Sequence, residues 1–118
     1  MPTTWQIVLT DTFNNWFDTL DDKTKENILA YLHVLQRKGP HLQRPYADTV
    51  NTSKFSNMKE LRVQSQGNPF RIFYAFDPDR NAIVLCGGNK KGNDKQFYKK
   101  MIYLADKFYT DYLDNSKS

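Results

Sequence analysis

The sequence predicts a small α+β domain with the element order β-α-α-β-β-β-α, in which an antiparallel sheet packs against a helical hairpin and a C-terminal helix. Three observations predict this fold class. The middle of the chain holds three short β-branched or aromatic runs, the first 40 residues hold two apolar helical repeats, and the end of the chain holds a third. At 118 residues the chain is long enough for one modest core. We therefore assign residues 1–118 to a single domain.

The first 40 residues predict a strand followed by two helices. Trp5–Leu9 is a short β-type run, and Thr10 or Asp11 then caps a helix. Its apolar residues recur at i, i+3, i+4 and i+7, namely Phe13, Trp16, Phe17 and Leu20. Asp21 and Asp22 break this helix and cap a second one that ends at Gly39-Pro40. The apolar stripe of the second helix is Ile28, Leu29, Leu32 and Leu35.

The centre of the chain predicts a three-stranded antiparallel meander. Residues 41–56 show no clear period and are expected to form a loop that leads to the sheet. The strands are Met58–Val63, Phe70–Phe76 and Ala82–Cys86. Glycine, proline, asparagine and aspartate in the two segments between them are the residues that turns require.

The last part of the chain predicts a loop and a long helix. Residues 87–94 read as a glycine-rich basic loop, and a helix follows from about Lys95 to Leu113. Residues 115–118 are expected to be a frayed tail. The helices are expected to cover one apolar face of the sheet, leaving open the face that carries Arg62 and, depending on which side of its strand is covered, Arg71.

Charge and composition narrow the classes of function. The net charge is +4, distributed as −1 over residues 1–53 and +5 over residues 54–118. The basic half predicts an anionic partner, either nucleic acid or an acidic protein, and a merely soluble basic surface is the alternative. No apolar run is long enough for a membrane span, and the N-terminus lacks the features of a signal peptide. We therefore expect a cytoplasmic protein with no membrane partner.

Cysteine and histidine spacing argues against a metal centre or another cofactor. The single cysteine, Cys86, excludes an internal disulfide and a cysteine cluster. His33 and His41 are eight residues apart and belong to no metal-binding motif. The expectation is therefore a protein without metal or cofactor.

The candidate site consists of cations that converge on a phosphate. Arg62 and Arg71 lie within strands, and the pair Lys90-Lys91 follows the third strand. Arginine forks bind phosphate oxygens in bidentate fashion, and a loop with lysines and backbone N–H groups can hold a phosphodiester. The alternatives are a salt bridge between Arg62 and Glu60, a strand-end arginine at position 71, and a loop with solvated lysines. Tyr98, shortly after the basic loop, could place a phenol at the edge of this site.

Several blocks resemble the RelE/HigB superfamily of toxins from bacterial toxin–antitoxin modules, and in particular its HigB-like, phage-derived branch. The blocks, in chain order, are Trp16 to Leu20, Gly39-Pro40 with Leu42 and Pro45, Met58-Lys59-Glu60-Leu61-Arg62, Pro69 to Pro78, Gly87 to Lys90, and Ala105-Asp106. The resemblance covers nearly the whole chain.

The resemblance implies a small domain with a curved antiparallel sheet of the RelE type. It implies ribosome-dependent, metal-independent mRNA cleavage, in which the 2′-hydroxyl attacks the neighbouring phosphate and leaves a 2′,3′-cyclic phosphate. It also implies a cognate antitoxin, expected to be of the helix-turn-helix type, that largely determines the oligomeric state. Arg62 and Arg71 match the arginines of the family blocks, and Lys90 and Lys91 match the basic pair.

One departure from better-known members concerns acid–base catalysis. The chain has no histidine after His41, so a C-terminal catalytic histidine is absent. The acid and base roles then fall to Lys59, Lys90, Lys91 or Tyr98, with His41 as a further alternative. Two other readings remain open, namely a ParE-like toxin that poisons DNA gyrase and an inactive phage-derived module that binds RNA or protein.

Overall fold

The structure, a computed structural model, describes residues 4–116 and confirms the α+β class. Its elements in chain order are β1 (Gln6–Leu9), α1 (Asp11–Phe17), α2 (Asp22–Lys38), a 3-10 turn (Gly39–His41), β2 (Ala47–Thr49), β3 (Met58–Ser65), β4 (Asn68–Phe76), β5 (Asn81–Asn89) and α3 (Asp94–Ser116). Thr10 caps α1 and Asp21 caps α2, as the sequence predicted. The cap at Asp21 lowers the pKa of that carboxyl, chiefly because it accepts the backbone N–H of Thr24.

The sheet has five strands in the order β1-β5-β4-β3-β2. Strands β3, β4 and β5 form the predicted antiparallel meander, but β1 pairs with β5 in parallel, so the prediction of a wholly antiparallel sheet was wrong. The 71 residues from 10 to 80 lie between β1 and β5. A connection of that length permits parallel pairing, which a hairpin cannot provide.

The segment predicted as a loop over residues 41–56 contains the short strand β2. Ala47, Asp48 and Thr49 pair with Leu61, Glu60 and Lys59 and form the second edge of the sheet. Three residues are too few to show an alternating pattern, so no periodicity predicts this strand.

Both faces of the sheet are covered. Helices α1 and α2 pack on one face, where Phe13, Ile28 and Leu35 are fully buried. Helix α3 packs on the other face, against Phe73 and Leu85. The expectation that the arginine-bearing face stays open was therefore wrong over most of its area. Strands β4 and β5 are apolar on both sides, and burying both sides requires cover on each.

Two glycines predicted to lie in a loop belong to the end of β5. Gly87 pairs with Ile72 and Gly88 with Arg71 in the β4–β5 ladder. A Cβ at Gly87 would lie 2.4 Å from the ring of Trp16, and one at Gly88 would lie 2.9 Å from the ring of Phe97. Here glycine allows aromatic side chains from both helical layers to approach the strand closely.

The helix ends differ from the prediction by a few residues. Helix α1 ends at Phe17, three residues before the predicted Leu20. Helix α3 continues to Ser116, so Asn115 and Ser116 are helical rather than frayed. Lys117 and Ser118, the rest of the predicted tail, lie outside the described residues. Among the described residues, no helix combines the length and apolar character that crossing a bilayer needs.

We expect Cys86 to resist thiol reagents in the folded protein. The residue is 5% exposed, and burial raises the pKa of its thiol to about 12. Since the thiolate is the reactive form, labelling at pH 8 should be negligible without denaturant and stoichiometric in concentrated urea. Labelling followed by mass spectrometry against urea concentration checks this, and the labelled fraction should track the unfolding transition. Rapid labelling of the native protein would show that the α3 face is open.

Candidate functional site

Two arginines from neighbouring strands lie side by side on the face of the sheet that α3 covers. Arg62 in β3 and Arg71 in β4 are register partners, so their side chains leave the same face. Arg71 is 5% exposed, and the side chain of Arg62 is 30% exposed. The structure thus brings together two arginines that the sequence could only place on neighbouring strands.

The carboxylate of Glu60 lies close to both guanidinium groups. Its Oε1 is 3.8 Å from Nε of Arg71, and its Oε2 is 3.9 Å from Nη1 of Arg62. These distances correspond to ion pairs rather than to direct hydrogen bonds. Because two positive charges face one negative charge, this group keeps a net positive charge and can attract an anion.

Tyr98, in the second turn of α3, contacts Glu60 and Arg71 from the helix that packs on this face of the sheet. Its hydroxyl donates to Oε1 of Glu60 at 2.7 Å and accepts a hydrogen bond from Nε of Arg71 at 3.3 Å. Burial, followed by the interaction with Glu60, raises the pKa of Tyr98. The phenol therefore keeps its proton at neutral pH. We call Glu60, Arg62, Arg71 and Tyr98 the arginine cluster.

The guanidinium of Arg71 is held in place on two sides. Besides its contact with Tyr98, its Nη1 donates to the carbonyl oxygen of Phe70 at 3.0 Å. Fixed donors are effective in catalysis because they need no reorganisation when charge develops on a substrate.

A cleft of about 260 Å³ opens beside the cluster. Six residues line it, namely Tyr31, Pro45, Tyr46, Arg62, Gln64 and Arg71. Tyr46 is 51% exposed, and its ring lies 6.4 Å from that of Tyr31. An exposed tyrosine beside guanidinium groups is an arrangement suited to an unpaired base and its phosphate. We call this the arginine cleft.

The two lysines after β5 take different positions. Lys90 directs its Nζ to Oδ2 of Asp94, 3.1 Å away in the first turn of α3, and its side chain is 18% exposed. Lys91 is exposed. Their backbone N–H groups donate to the carbonyl of Pro69 and to Oδ1 of Asn89, respectively. The backbone N–H groups of these two lysines are thus already engaged within the protein, so each lysine can contribute only its side chain as a phosphate ligand.

The structure separates Lys59 from the arginine cluster. Lys59 shares the strand parity of Leu61, which belongs to the opposite face, and its Nζ donates to Oγ1 of Thr49 at 2.8 Å. His41 is exposed in the 3-10 turn. Within residues 4–116, no group of three or more histidine, cysteine or acidic side chains is arranged to hold a metal ion.

Sequence reasoning missed the central position of Glu60. It named Glu60 only as an alternative salt-bridge partner of Arg62. A signal was nevertheless present. Glu60 is two residues from Arg62 and so lies on the same strand face, and the pairing of β3 with β4 brings Arg71 next to Arg62 on that face. Tyr31 was also missed as a cleft residue, because it belongs to α2, which carries no other residue of the site.

A family model and two named relatives match the chain. The model described as phage derived protein Gp49-like (DUF891) matches residues 15–110. HigB2 of Mycobacterium tuberculosis, whose name describes it as a toxin, is 46% identical over 99 residues, which are 83% of this chain and 49% of HigB2. HigB3 of the same organism, also named as a toxin, is 42% identical over 100 residues, which are 85% of this chain and 86% of HigB3. The chain therefore spans about half the length of HigB2.

Solved structures of RelE-type proteins share the fold at low sequence identity. A mutant of the Escherichia coli toxin RelE in the free state superimposes with a TM-score of 0.65 at 11% identity, covering 89% of this chain and 97% of RelE. The toxin–antitoxin complex RelBE2 of Mycobacterium tuberculosis gives 0.59 at 11% identity, covering 74% and 99%. The archaeal RelE–RelB complex of Pyrococcus horikoshii gives 0.58 at 11% identity, covering 77% and 100%.

Proposed function

Because the chain belongs to the phage derived Gp49-like family, we propose that it is a toxin of the RelE/HigB type from a toxin–antitoxin module. Its activity is ribosome-dependent, metal-independent cleavage of mRNA. The observation that carries this proposal is the pair formed by Arg62 and Arg71, two guanidinium groups that share one carboxylate and line one cleft.

The arginine cleft supports binding of a single RNA strand. Arg62 and Arg71 supply planar donors for the phosphate oxygens, and Lys90, whose backbone N–H is bonded to the carbonyl of Pro69 in the same strand as Arg71, adds an ammonium group. Tyr46 offers an exposed ring on which a base can stack. Single-stranded RNA fits such a cleft because its bases are free to leave the stack.

The reaction is transesterification within the RNA strand. The 2′ oxygen bonds to the neighbouring phosphorus and loses its proton, the bond from phosphorus to the 5′ oxygen breaks, and the leaving oxygen takes up a proton. The products are a 2′,3′-cyclic phosphate and a 5′-hydroxyl end. The guanidinium groups stabilise the extra negative charge on the phosphorane, and Lys90 donates the proton to the leaving oxygen.

The partner of such a toxin is a cognate antitoxin of the helix-turn-helix type. Of the solved structures that share this fold, RelBE2 is a toxin–antitoxin complex and the archaeal structure is a complex of RelE with RelB. The net positive charge of the arginine cluster favours an acidic antitoxin segment that competes with RNA phosphate for the cleft. The oligomeric state then follows from how many toxin chains one antitoxin assembly binds.

The proposal predicts growth arrest on expression and cleaved transcripts. Purified protein added to a translating ribosome mixture should produce mRNA fragments with cyclic phosphate ends, and naked mRNA should remain intact. Primer extension and end-group analysis measure both outcomes. A gyrase supercoiling assay run in parallel tests the ParE-like reading, and intact mRNA with inhibited supercoiling would replace the proposal by that reading. Harmless expression with intact mRNA would instead indicate an inactive module.

A further inference from the structure

The buried carboxylate of Glu60 has a closer partner than either arginine. Its two ion pairs are 3.8 and 3.9 Å long, whereas the hydroxyl of Tyr98 lies 2.7 Å from Oε1. Glu60 is 6% exposed and Tyr98 is partly exposed. The short hydrogen bond therefore links the partly exposed hydroxyl of Tyr98 to the buried carboxylate of Glu60.

The hydroxyl of Tyr98 still has capacity for one further contact. A phenolic oxygen has one proton and two lone pairs. Its proton points to Glu60, and one lone pair accepts the Nε–H of Arg71. Within residues 4–116 no further hydrogen bond is made to this oxygen, so its second lone pair can accept from a substrate hydroxyl that lies beside Arg71. When the Tyr98 oxygen accepts a proton through this lone pair, its own proton can move to Glu60.

We propose that Glu60 is the final acceptor of the proton from the 2′-hydroxyl, and that Tyr98 passes this proton on. The inference rests on the proposed ribonuclease function and supplies the base which that function needs. As the bond between the 2′ oxygen and phosphorus forms, the 2′ proton moves to the Tyr98 oxygen and the Tyr98 proton moves to Oε1 of Glu60. The bond to the 5′ oxygen breaks, and that oxygen takes a proton from Lys90. Solvent then returns the proton from Glu60 to Lys90, so the cycle closes without any other reactant.

The charges around Glu60 suit this role. The charged and titratable groups around Glu60 are Arg62, Arg71, Tyr98, Arg44, the register partner Asp48 on β2, which pairs with Arg44, and, across the sheet, Tyr74. Arg62 and Arg71 pair with Glu60 itself, and Arg44 pairs with Asp48, so cations lie close to the Glu60 carboxylate. The raised pKa of Tyr98 means that the phenol retains a proton to pass on, and this favours a relay over a free phenolate base.

The other candidate bases are engaged elsewhere. Lys59 donates to Thr49 on the opposite side of the sheet, and Lys90 already serves as the proton donor to the leaving oxygen in the proposed reaction. His41 is exposed in the 3-10 turn. By contrast, Glu60 and Tyr98 are both bonded or paired to Arg71, the residue at which the phosphate is expected.

The test compares the wild-type protein with Glu60→Gln and Tyr98→Phe in ribosome-dependent mRNA cleavage across a pH series. Loss of general-base catalysis should lower the maximal rate by about 100-fold or more in each variant. The acid-side fall of the wild-type profile should disappear in Glu60→Gln. The double variant should cleave no more slowly than the slower single variant, because both residues serve one proton path. Apparent substrate affinity should hold or improve in Glu60→Gln, since the variant removes a negative charge beside the phosphate site.

The outcomes separate the relay from the proposed function. Failure of the wild-type protein to cleave refutes the function itself. Wild-type cleavage with an unchanged rate and pH profile in Glu60→Gln refutes only the relay. A variant that loses substrate affinity while keeping its maximal rate and pH profile shows that Glu60 merely positions the arginines, and this also overturns the relay. Circular dichroism melting of each variant confirms that folded protein is being compared, and Tyr98→Phe supplies the answer if Glu60→Gln does not fold.

Discussion

Replacement of Arg71 by lysine should lower ribosome-dependent mRNA cleavage by about 10²- to 10³-fold, the loss typical of removing one fixed donor from a transition-state site. Lysine keeps the charge but loses the planar fork, so it cannot bind Tyr98, the Phe70 carbonyl and a phosphate oxygen in the same geometry. The measurement is the rate of fragment formation by primer extension at saturating ribosome concentration.

The matched control is Arg37→Lys. Arg37 is exposed in the last turn of α2, so the same chemical change there should leave the cleavage rate unaltered. Thermal melting accompanies both variants, because Arg71 is buried beside Glu60 and a badly placed ammonium group could destabilise the fold. A folded Arg71→Lys protein that cleaves at the wild-type rate would place the phosphate site elsewhere.

The sequence predicted the meander and the helices because their patterns are local. Each run from β3 to β5 is apolar or β-branched and is bounded by turn residues. Thr10 and Asp21 are residue types that favour helix N-caps, so they predict where α1 and α2 begin. The parallel pairing of β1 with β5 could not be predicted in this way, because the partner of an edge strand is decided by the packing of the whole chain.

Local sequence patterns also could not predict how much of the sheet the helices cover. Strand β4 is apolar on both sides, as the sequence shows, but this pattern alone does not tell which helix covers which side. The structure places α3 over Phe73 and leaves the end with Arg62 and Arg71 beside the cleft. The open surface is therefore much smaller than a bare sheet face, and it is concentrated at the arginines.

The site was predictable as far as strand pairing extends. Arg62 and Arg71 are brought together by the pairing of β3 with β4, which the sequence predicted, although each strand extends two residues further towards the turn than predicted. The contact of Tyr98 with Glu60 joins residues 38 positions apart, through the angle at which α3 crosses the sheet. No periodicity encodes that angle. Consequently the two arginines of the candidate site could be named from the sequence, whereas the contact between Tyr98 and Glu60 required the structure.

The turn that ends α2 should be the position least tolerant of a methyl group. Gly39 has φ +55° and ψ −135°, a backbone conformation that side chains rarely adopt, and a Cβ there would lie 2.4 Å from the Trp5 ring. That ring is packed 4.7 Å from Phe76 and lies under the Arg80 guanidinium at 4.8 Å, so moving it disrupts further contacts. Gly39→Ala should therefore combine backbone strain of about 1–3 kcal/mol with overpacking of about 1–3 kcal/mol.

Gly67→Ala separates these two contributions. Gly67 has φ +78° in the β3–β4 turn but no atom within 4 Å of its Cβ position, so alanine there should cost only about 1–2 kcal/mol of backbone strain. Urea titration should give a midpoint clearly lower for Gly39→Ala than for Gly67→Ala. Equal decreases in the urea midpoint would mean that the Trp5 ring moves aside without loss of stability. The larger loss of stability expected for Gly39→Ala also concerns the candidate site. The segment after Gly39 leads to Tyr46, which lines the arginine cleft, so the packing of Trp5 on Gly39 holds the start of that segment in place.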